Sequence, residues 1–166
     1  TNSSITNNQY GIGTYDHAAP IVTDSIISNN SSYGIYGDWE GGITIATSTI
    51  SNNSGYGVYL DYSTGAVAIT NSTISNNSGY GMYYYNAQSG ASLSVSDSTV
   101  SNNSETGIYL DRQRAFTISN NNISNNSGDG VYCYNDSIDY VSSPLPSITY
   151  NTVTGNSYNG VSLDGS

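Results

Sequence analysis

One phrase, Ser48-Thr49-Ile50-Ser51-Asn52-Asn53-Ser54-Gly55-Tyr56-Gly57-Val58-Tyr59-Leu60, recurs with small variations along the whole chain. Its aliphatic anchors are Ile5, Ile27, Ile50, Ile74, Val100, Ile123 and Val153, spaced by 22, 23, 24, 26, 23 and 30 residues. Eight residues after an anchor comes the second member of a Gly-aliphatic pair: Gly34-Ile35, Gly57-Val58, Gly81-Met82, Gly107-Ile108, Gly130-Val131 and Gly160-Val161. The first pair, Gly11-Ile12, arrives one residue early. Before each later anchor lies another alternating segment: Ile43-Thr44-Ile45, Val67-Ala68-Ile69, Leu93-Ser94-Val95 and Phe116-Thr117-Ile118. Pro20-Ile21-Val22 and Pro146-Ser147-Ile148 are imperfect copies.

Self-similarity at a fixed period dictates a repeat architecture. Three short alternating segments per repeat predict three strands. Nothing follows a 3.6-residue period, and Ser, Asn, Thr and Gly are poor helix formers. Propeller blades need roughly 40–45 residues and four strands, nearly twice this repeat. A short three-stranded repeat suits one turn of a coil, each strand pairing in parallel with its copies above and below. At about 4.8 Å per rung, seven rungs make a rod roughly 34 Å long. The prediction is one domain, residues 1–166.

The pattern Ile-x-x-Asn-x-x-x-x-Gly-Ile-x-Leu, as in Ile50-Ser51-Asn52-Asn53 through Gly57-Val58-Tyr59-Leu60, resembles the right-handed parallel β-helix repeats of the pectate-lyase-like superfamily and of many bacterial and archaeal surface proteins. The resemblance covers nearly the whole chain. It implies an all-β fold, a single right-handed parallel β-helix of about seven rungs with three short strands each. For function it is open, because the fold hosts many functions.

Period-two alternation assigns faces. Ile35, Val58, Met82, Ile108 and Val131 should point inward, as should Leu60, Tyr84, Leu110, Cys133 and Leu163. Cys133, the only cysteine, is then a small buried hydrophobe. The second Asn of each pair falls at a turn: Asn8, Asn30, Asn53, Asn77, Asn103, Asn126 and Asn156. Stacked, these amides can satisfy buried turn groups, and the resemblance implies an Asn ladder at such a bend. The glycines before the aliphatics should supply positive φ or close packing.

Tyr36, Tyr59, Tyr83, Tyr109 and Tyr132 should form an outward row, with Tyr33, Tyr56 and Tyr80 at the preceding turn. Such a row stabilises the sheet by stacking, or offers a protein- or glycan-binding face. Asp38, Asp61 and Asp111 lie two positions further on. Asp38 and Asp61 should be neighbours on successive rungs. Ca²⁺ would relieve their repulsion, though two carboxylates are a thin ligand set. No other cofactor or metal site is expected.

An enzyme of the sugar-cleaving relatives would need carboxylates clustered with Arg or His. The nearest approach is Asp111-Arg112 with Asp61 two rungs away, Tyr85 occupying the rung between. The longest excursion, from Asn135 to Pro146, carries Asp136 and Asp139. The lone His17 sits in Asp16-His17-Ala18-Ala19, outside the Gly-His-Gly context of the related hydrolases. General acid–base work requires a concave site, which a tyrosine-covered face does not offer.

Only 8% of residues are charged, with no lysine, Arg112 and Arg114 as the only arginines, 12 acids and a net charge of −10. That excludes nucleic-acid binding through a basic surface. No apolar run reaches the roughly 18 residues of a membrane-spanning helix. The expectation is a non-catalytic extracellular structural protein, a β-helical subunit of a cell-surface filament, sheath or surface layer. The alternatives are a glycan-binding or adhesive segment of a larger surface protein and, further off, a polysaccharide lyase or hydrolase. Neither end reads as a polar cap. The chain is therefore expected to be part of a longer solenoid, or to assemble end to end or laterally. Asn29, Asn52, Asn76, Asn102 and Asn125 are glycosylation acceptors by sequon, as are Asn2, Asn30, Asn71, Asn122 and Asn135. Rungs about 4.8 Å apart leave room for partial occupancy at most.

Overall fold

A computed structural model describes residues 1–88, 90–112, 115–134 and 146–165. The chain winds into a parallel β-solenoid whose strands form sheets of seven, seven and six. A representative rung runs Thr49–Ser51, Val58–Asp61 and Ala66–Thr70. The first sheet carries the anchors, the second the segments after the Gly-aliphatic pairs, and the third the remaining alternating segments. Every pairing joins a strand to its copy on the next rung, in parallel. Ile50 pairs with Ile74, Tyr59 with Tyr83, and Ile69 with Val95. Irregular repeat lengths leave this register intact because the extra residues fall between the strands.

The rungs turn at three corners, and left-handed residues stand at these corners among the described residues. One column of such residues is Asn29, Asn52, Asn76, Asn102 and Asn125, all with φ of 56–57°. Asparagine tolerates this region better than other side-chain-bearing residues. The first Asn of each Asn-Asn pair therefore sets the bend, and the second ties it down. Asn53 Nδ2 donates to Asn77 Oδ1 at 2.9 Å, and the Asn53 backbone N–H donates to the same oxygen at 3.1 Å. The same bonding links Asn8, Asn30, Asn53, Asn77, Asn103, Asn126 and Asn156 into one ladder. Each Asn from Asn30 onward also caps a carbonyl of an earlier rung, as Asn77 does for Ile50.

The corner before the first sheet carries a second ladder, built mostly of serine. The backbone N–H groups of Ser25, Ser48 and Ser72 donate to Oγ of Ser48, Ser72 and Ser98 at 3.2, 3.2 and 3.0 Å. Asn121 and Asn151 extend it. The Gly-aliphatic glycines at Gly34, Gly57, Gly81, Gly107 and Gly130 have ordinary negative φ, so closeness is what they supply. A Cβ on Gly57 would lie 2.6 Å from the Gly81 carbonyl oxygen.

A continuous aliphatic core fills the bore. Ile35, Val58, Met82, Ile108 and Val131 are wholly buried, with Leu60, Tyr84, Leu110 and Cys133 beside them. Burial pushes the Cys133 thiol up to about 12, which leaves it unreactive at neutral pH. Leu163 departs from the inward expectation. It is 70% exposed, because its strand has a partner on one side only.

Gly37 interrupts the second inward column, where its neighbours are Thr14 and Leu60. The Glu40 side chain folds into the vacated space, its Oε2 3.1 Å from where a Gly37 Cβ would stand. Glu40 is 0% exposed. Neither of its oxygens has a hydrogen-bond partner, nor do the buried hydroxyls of Ser63 and Tyr84. Burial pushes the Glu40 carboxyl above its usual range. The neutral form is therefore the one that suits the fold. Its contribution is full below pH 4.5 and is lost as pH rises above that value. Glu40→Gln should gain roughly 2 kcal/mol at pH 8 and almost nothing at pH 4. Melting temperatures at the two pH values should then differ from those of the wild type by about 4–8 °C and by about zero.

Candidate functional site

The second sheet presents the tyrosines, and parallel in-register pairing places like upon like. Tyr36, Tyr59, Tyr83, Tyr109 and Tyr132 stack with ring centroids 5.4, 5.5, 5.0 and 4.9 Å apart and planes within 3, 2, 12 and 21°. Tyr10, Tyr33, Tyr56 and Tyr80 form a parallel column at the adjoining corner, at 5.7, 5.2 and 5.0 Å. The two columns touch. Tyr33 stacks on both Tyr36 and Tyr59, at 5.7 and 5.5 Å. Each stacked pair contributes about 0.5–1.5 kcal/mol beyond area burial. The cost is that interior rings spend their faces on one another. Gly55 and Gly79 make this packing possible, since a Cβ on either would strike the ring of Tyr33 or Tyr56. Trp39 and Tyr62 add a short third stack, 5.0 Å apart at 8°, on left-handed backbones with φ 55°.

Asp38 and Asp61 pair across adjacent rungs, and Tyr85 separates Asp61 from Asp111. Asp61 Oδ1 is buried without a hydrogen-bond partner. Burial first, and the Asp38 charge second, raise the Asp61 carboxyl from 3.8 to about 6. The neutral form is favoured in the fold, so the penalty is absent below about pH 4, grows towards pH 6 and is complete above it. Asp61→Asn should be neutral at pH 4 and stabilising at pH 7, by about 1–2 kcal/mol after solvent screening. Urea denaturation at both pH values measures it. Among the described residues no three His, Cys, Asp or Glu side chains converge on a point that could hold a metal ion. A cation at Asp38 and Asp61 would meet this one pair.

Arg112 lies among Asp111, Asn86 and Tyr85. Its Nε lies 3.7 Å from Asp111 Oδ1, a terminal nitrogen donates to Asn86 Oδ1 at 3.2 Å, and the guanidinium sits 5.7 Å from the Tyr85 ring centroid. The exposed His17 ring lies 3.4 Å from Asp16 Oδ1, and the His17 backbone N–H donates to the Trp39 carbonyl at 2.6 Å. Arg114, Asn135, Asp136 and Asp139 lie outside the described residues. Of the sequon asparagines, Asn29, Asn52, Asn76, Asn102 and Asn125 are exposed at their corner, as are Asn2, Asn71 and Asn122. Asn30, by contrast, is wholly buried in the ladder, its Nδ2 donating to Asn53 Oδ1 at 2.9 Å.

One concavity lies outside the periodic pattern of the repeats. Beyond Tyr80 the corner column continues with Thr106, Asp129 and Asn159 instead of tyrosine. A groove of about 460 Å³ opens there, lined by Tyr80, Tyr109, Tyr132, Tyr158, Glu105 and Asp129 among others. The signal in the sequence was the break itself, the change from Gly79-Tyr80-Gly81 to Glu105-Thr106-Gly107 and Gly128-Asp129-Gly130.

A family model described as a right-handed β-helix region matches residues 1–110 and again 86–166. No curated protein and no solved structure matches the chain.

Proposed function

We propose that this chain, which belongs to the right-handed β-helix family, is a non-catalytic extracellular structural protein, a β-helical subunit of a cell-surface filament, sheath or surface layer. The observation that carries this reading is the tyrosine wall. The residues best suited to ligand contact are packed face to face over five successive rungs. That arrangement stiffens a rod and leaves few ring faces for a ligand. Composition supports an exterior role: the absence of lysine denies a trypsin-like protease one of its two cleavage residue types. Lateral or end-to-end association is part of the same proposal. Val161 and Leu163 are 41% and 70% exposed, and a further rung, from more chain or from a second copy, would cover them.

Electron microscopy and sedimentation of the purified 17.5 kDa chain test the proposal. Rods, filaments or sheets that grow with concentration support it. A monomer at every concentration, with no polymer, overturns the assembly reading. A second reading, a glycan-binding or adhesive segment of a larger surface protein, is favoured by the groove beside Tyr80, and a glycan array separates the two. Release of unsaturated sugars from pectin or alginate, abolished by Asp111→Ala, would instead make the protein a lyase.

A further inference from the structure

The geometry points to the groove at the end of the corner tyrosine column as a binding site for an organic cation, an ammonium or guanidinium group. This goes beyond the structural role and does not depend on it. The volume of about 460 Å³ falls in the range of small-ligand sites, roughly 300–1,000 Å³. Its walls are of two kinds. Tyr80, Tyr132 and Tyr158 supply aromatic rings beside Tyr109, whose two faces are spent on Tyr83 and Tyr132, and Glu105 and Asp129 supply carboxylates. Rings with an electron-rich face and anions at their rim are the chemistry that recognises organic cations. Among the described residues no Lys, Arg or His lines the groove. The chain as a whole carries −10, so its field concentrates cations rather than anions.

The site is built rather than incidental. Asp129 Oδ1 accepts from the Asn159 backbone N–H at 2.9 Å and from Asn159 Nδ2 at 2.8 Å. The Asp129 backbone N–H donates to Thr106 Oγ1 at 3.2 Å. These bonds fix the carboxylate at the groove and leave its Oδ2 outside them. Glu105 stands where earlier rungs place Gly55 and Gly79, and Tyr80 turns 71° from the plane of Tyr56 instead of stacking on it. The aromatic column thus ends with a tilted ring beside an acid, next to a rung whose tyrosine is missing. A cation seated there would take the place that the missing ring leaves.

The same geometry supplies a plug. Gly128 occupies the position that lets Tyr33 and Tyr56 lie against Gly55 and Gly79, so Thr106→Tyr should continue the column and fill the groove. The test is NMR titration of the isotopically labelled 166-residue chain. The probes are choline, its neutral isostere 3,3-dimethyl-1-butanol, the methylamide of acetyl-arginine, and methyl β-glucoside. The expected result is saturable binding of the cations, with shifts centred on Thr106 and Ser127 to Asp129, and at least tenfold weaker binding of the isostere. Glu105→Gln, a surface change, should weaken cation binding about tenfold. Thr106→Tyr should abolish it with the melting temperature retained, and if that variant unfolds, Glu105→Gln decides alone. Tighter binding of the arginine derivative supports the site and assigns its ligand to a protein side chain; tighter binding of choline supports it and assigns a free quaternary amine. Equal binding of the isostere, shifts mapping elsewhere, no effect of Glu105→Gln, or binding of the glucoside alone would overturn the proposal.

Discussion

Asn77→Ala should cost about 3–6 kcal/mol and lower the melting temperature by more than about 10 °C, the largest effect of any single truncation in the rod. Asn77 Oδ1 accepts from the Asn53 backbone N–H and from Asn53 Nδ2, at 3.1 and 2.9 Å, and Asn77 Nδ2 donates to Asn103 Oδ1 and the Ile50 carbonyl at 3.0 and 3.3 Å. Truncation strands the Asn53 backbone N–H and leaves Asn53 Nδ2 only the Ile27 carbonyl, at 3.5 Å, where water does not reach, since Asn53, Asn77 and Asn103 are each 1% exposed. Each stranded group costs about 1–3 kcal/mol, and the lost volume adds to that. The neighbour Asn76 is the control. It is exposed and serves the corner by its φ of 56°. Asn76→Ala should cost only about 1 kcal/mol, and Asn76→Gly nothing measurable. Denaturant midpoints for the three variants check the order.

Gly81→Ala should be almost as damaging, at about 3 kcal/mol or more. The added Cβ would lie 2.5 Å from the Gly107 carbonyl oxygen, 2.7 Å from Val100 Cγ1 and 2.8 Å from Asn103 Nδ2. The first of these is backbone held in the next rung, and the last belongs to the ladder, so relief at one point disturbs another. Gly90 offers the contrast. Its φ is +92° but nothing stands within 4 Å of a Cβ there. Gly90→Ala should therefore show backbone strain alone, about 1 kcal/mol. Equal effects at Gly81 and Gly90 in thermal denaturation would contradict the close-packing account.

The rungs were legible because burial writes itself into sequence. Ile50, Ile74 and Val100 recur at nearly even spacing, and the structure pairs them directly. Asn53 and its copies were legible for a similar reason, since one residue type returns at one place. The serine ladder was not. Ser48 and Ser72 lie in a chain so rich in serine that a repeated Ser carries little information. Asn52 was read for its sequon alone, because a left-handed backbone leaves no mark beyond residue type. Tyr10 joins the corner column although the first repeat is a residue short, the turn absorbing the difference. Glu40 escaped notice since its place follows from a missing side chain at Gly37, a tertiary relation that no periodicity expresses. The groove was hidden in the same way: Thr106 and Asp129 matter for the rings they lack.

Every link in the asparagine ladder runs the same way. Asn8 donates to Asn30, Asn30 to Asn53, Asn53 to Asn77, and so on to Asn156, and the serine ladder repeats the direction. Sheets by themselves have little net dipole. Carboxamides aligned head to tail add theirs along the axis, as peptide units do in an α-helix. The rod is therefore an electrical vector with chemically opposite ends, one offering acceptors and the other donors. Two rods meeting like end to like end would set acceptor against acceptor and break the column. Neighbours lying side by side would favour opposite headings. A filament of such units would be polar, growing and dissolving at different rates at its two tips, and a sheet of them would alternate.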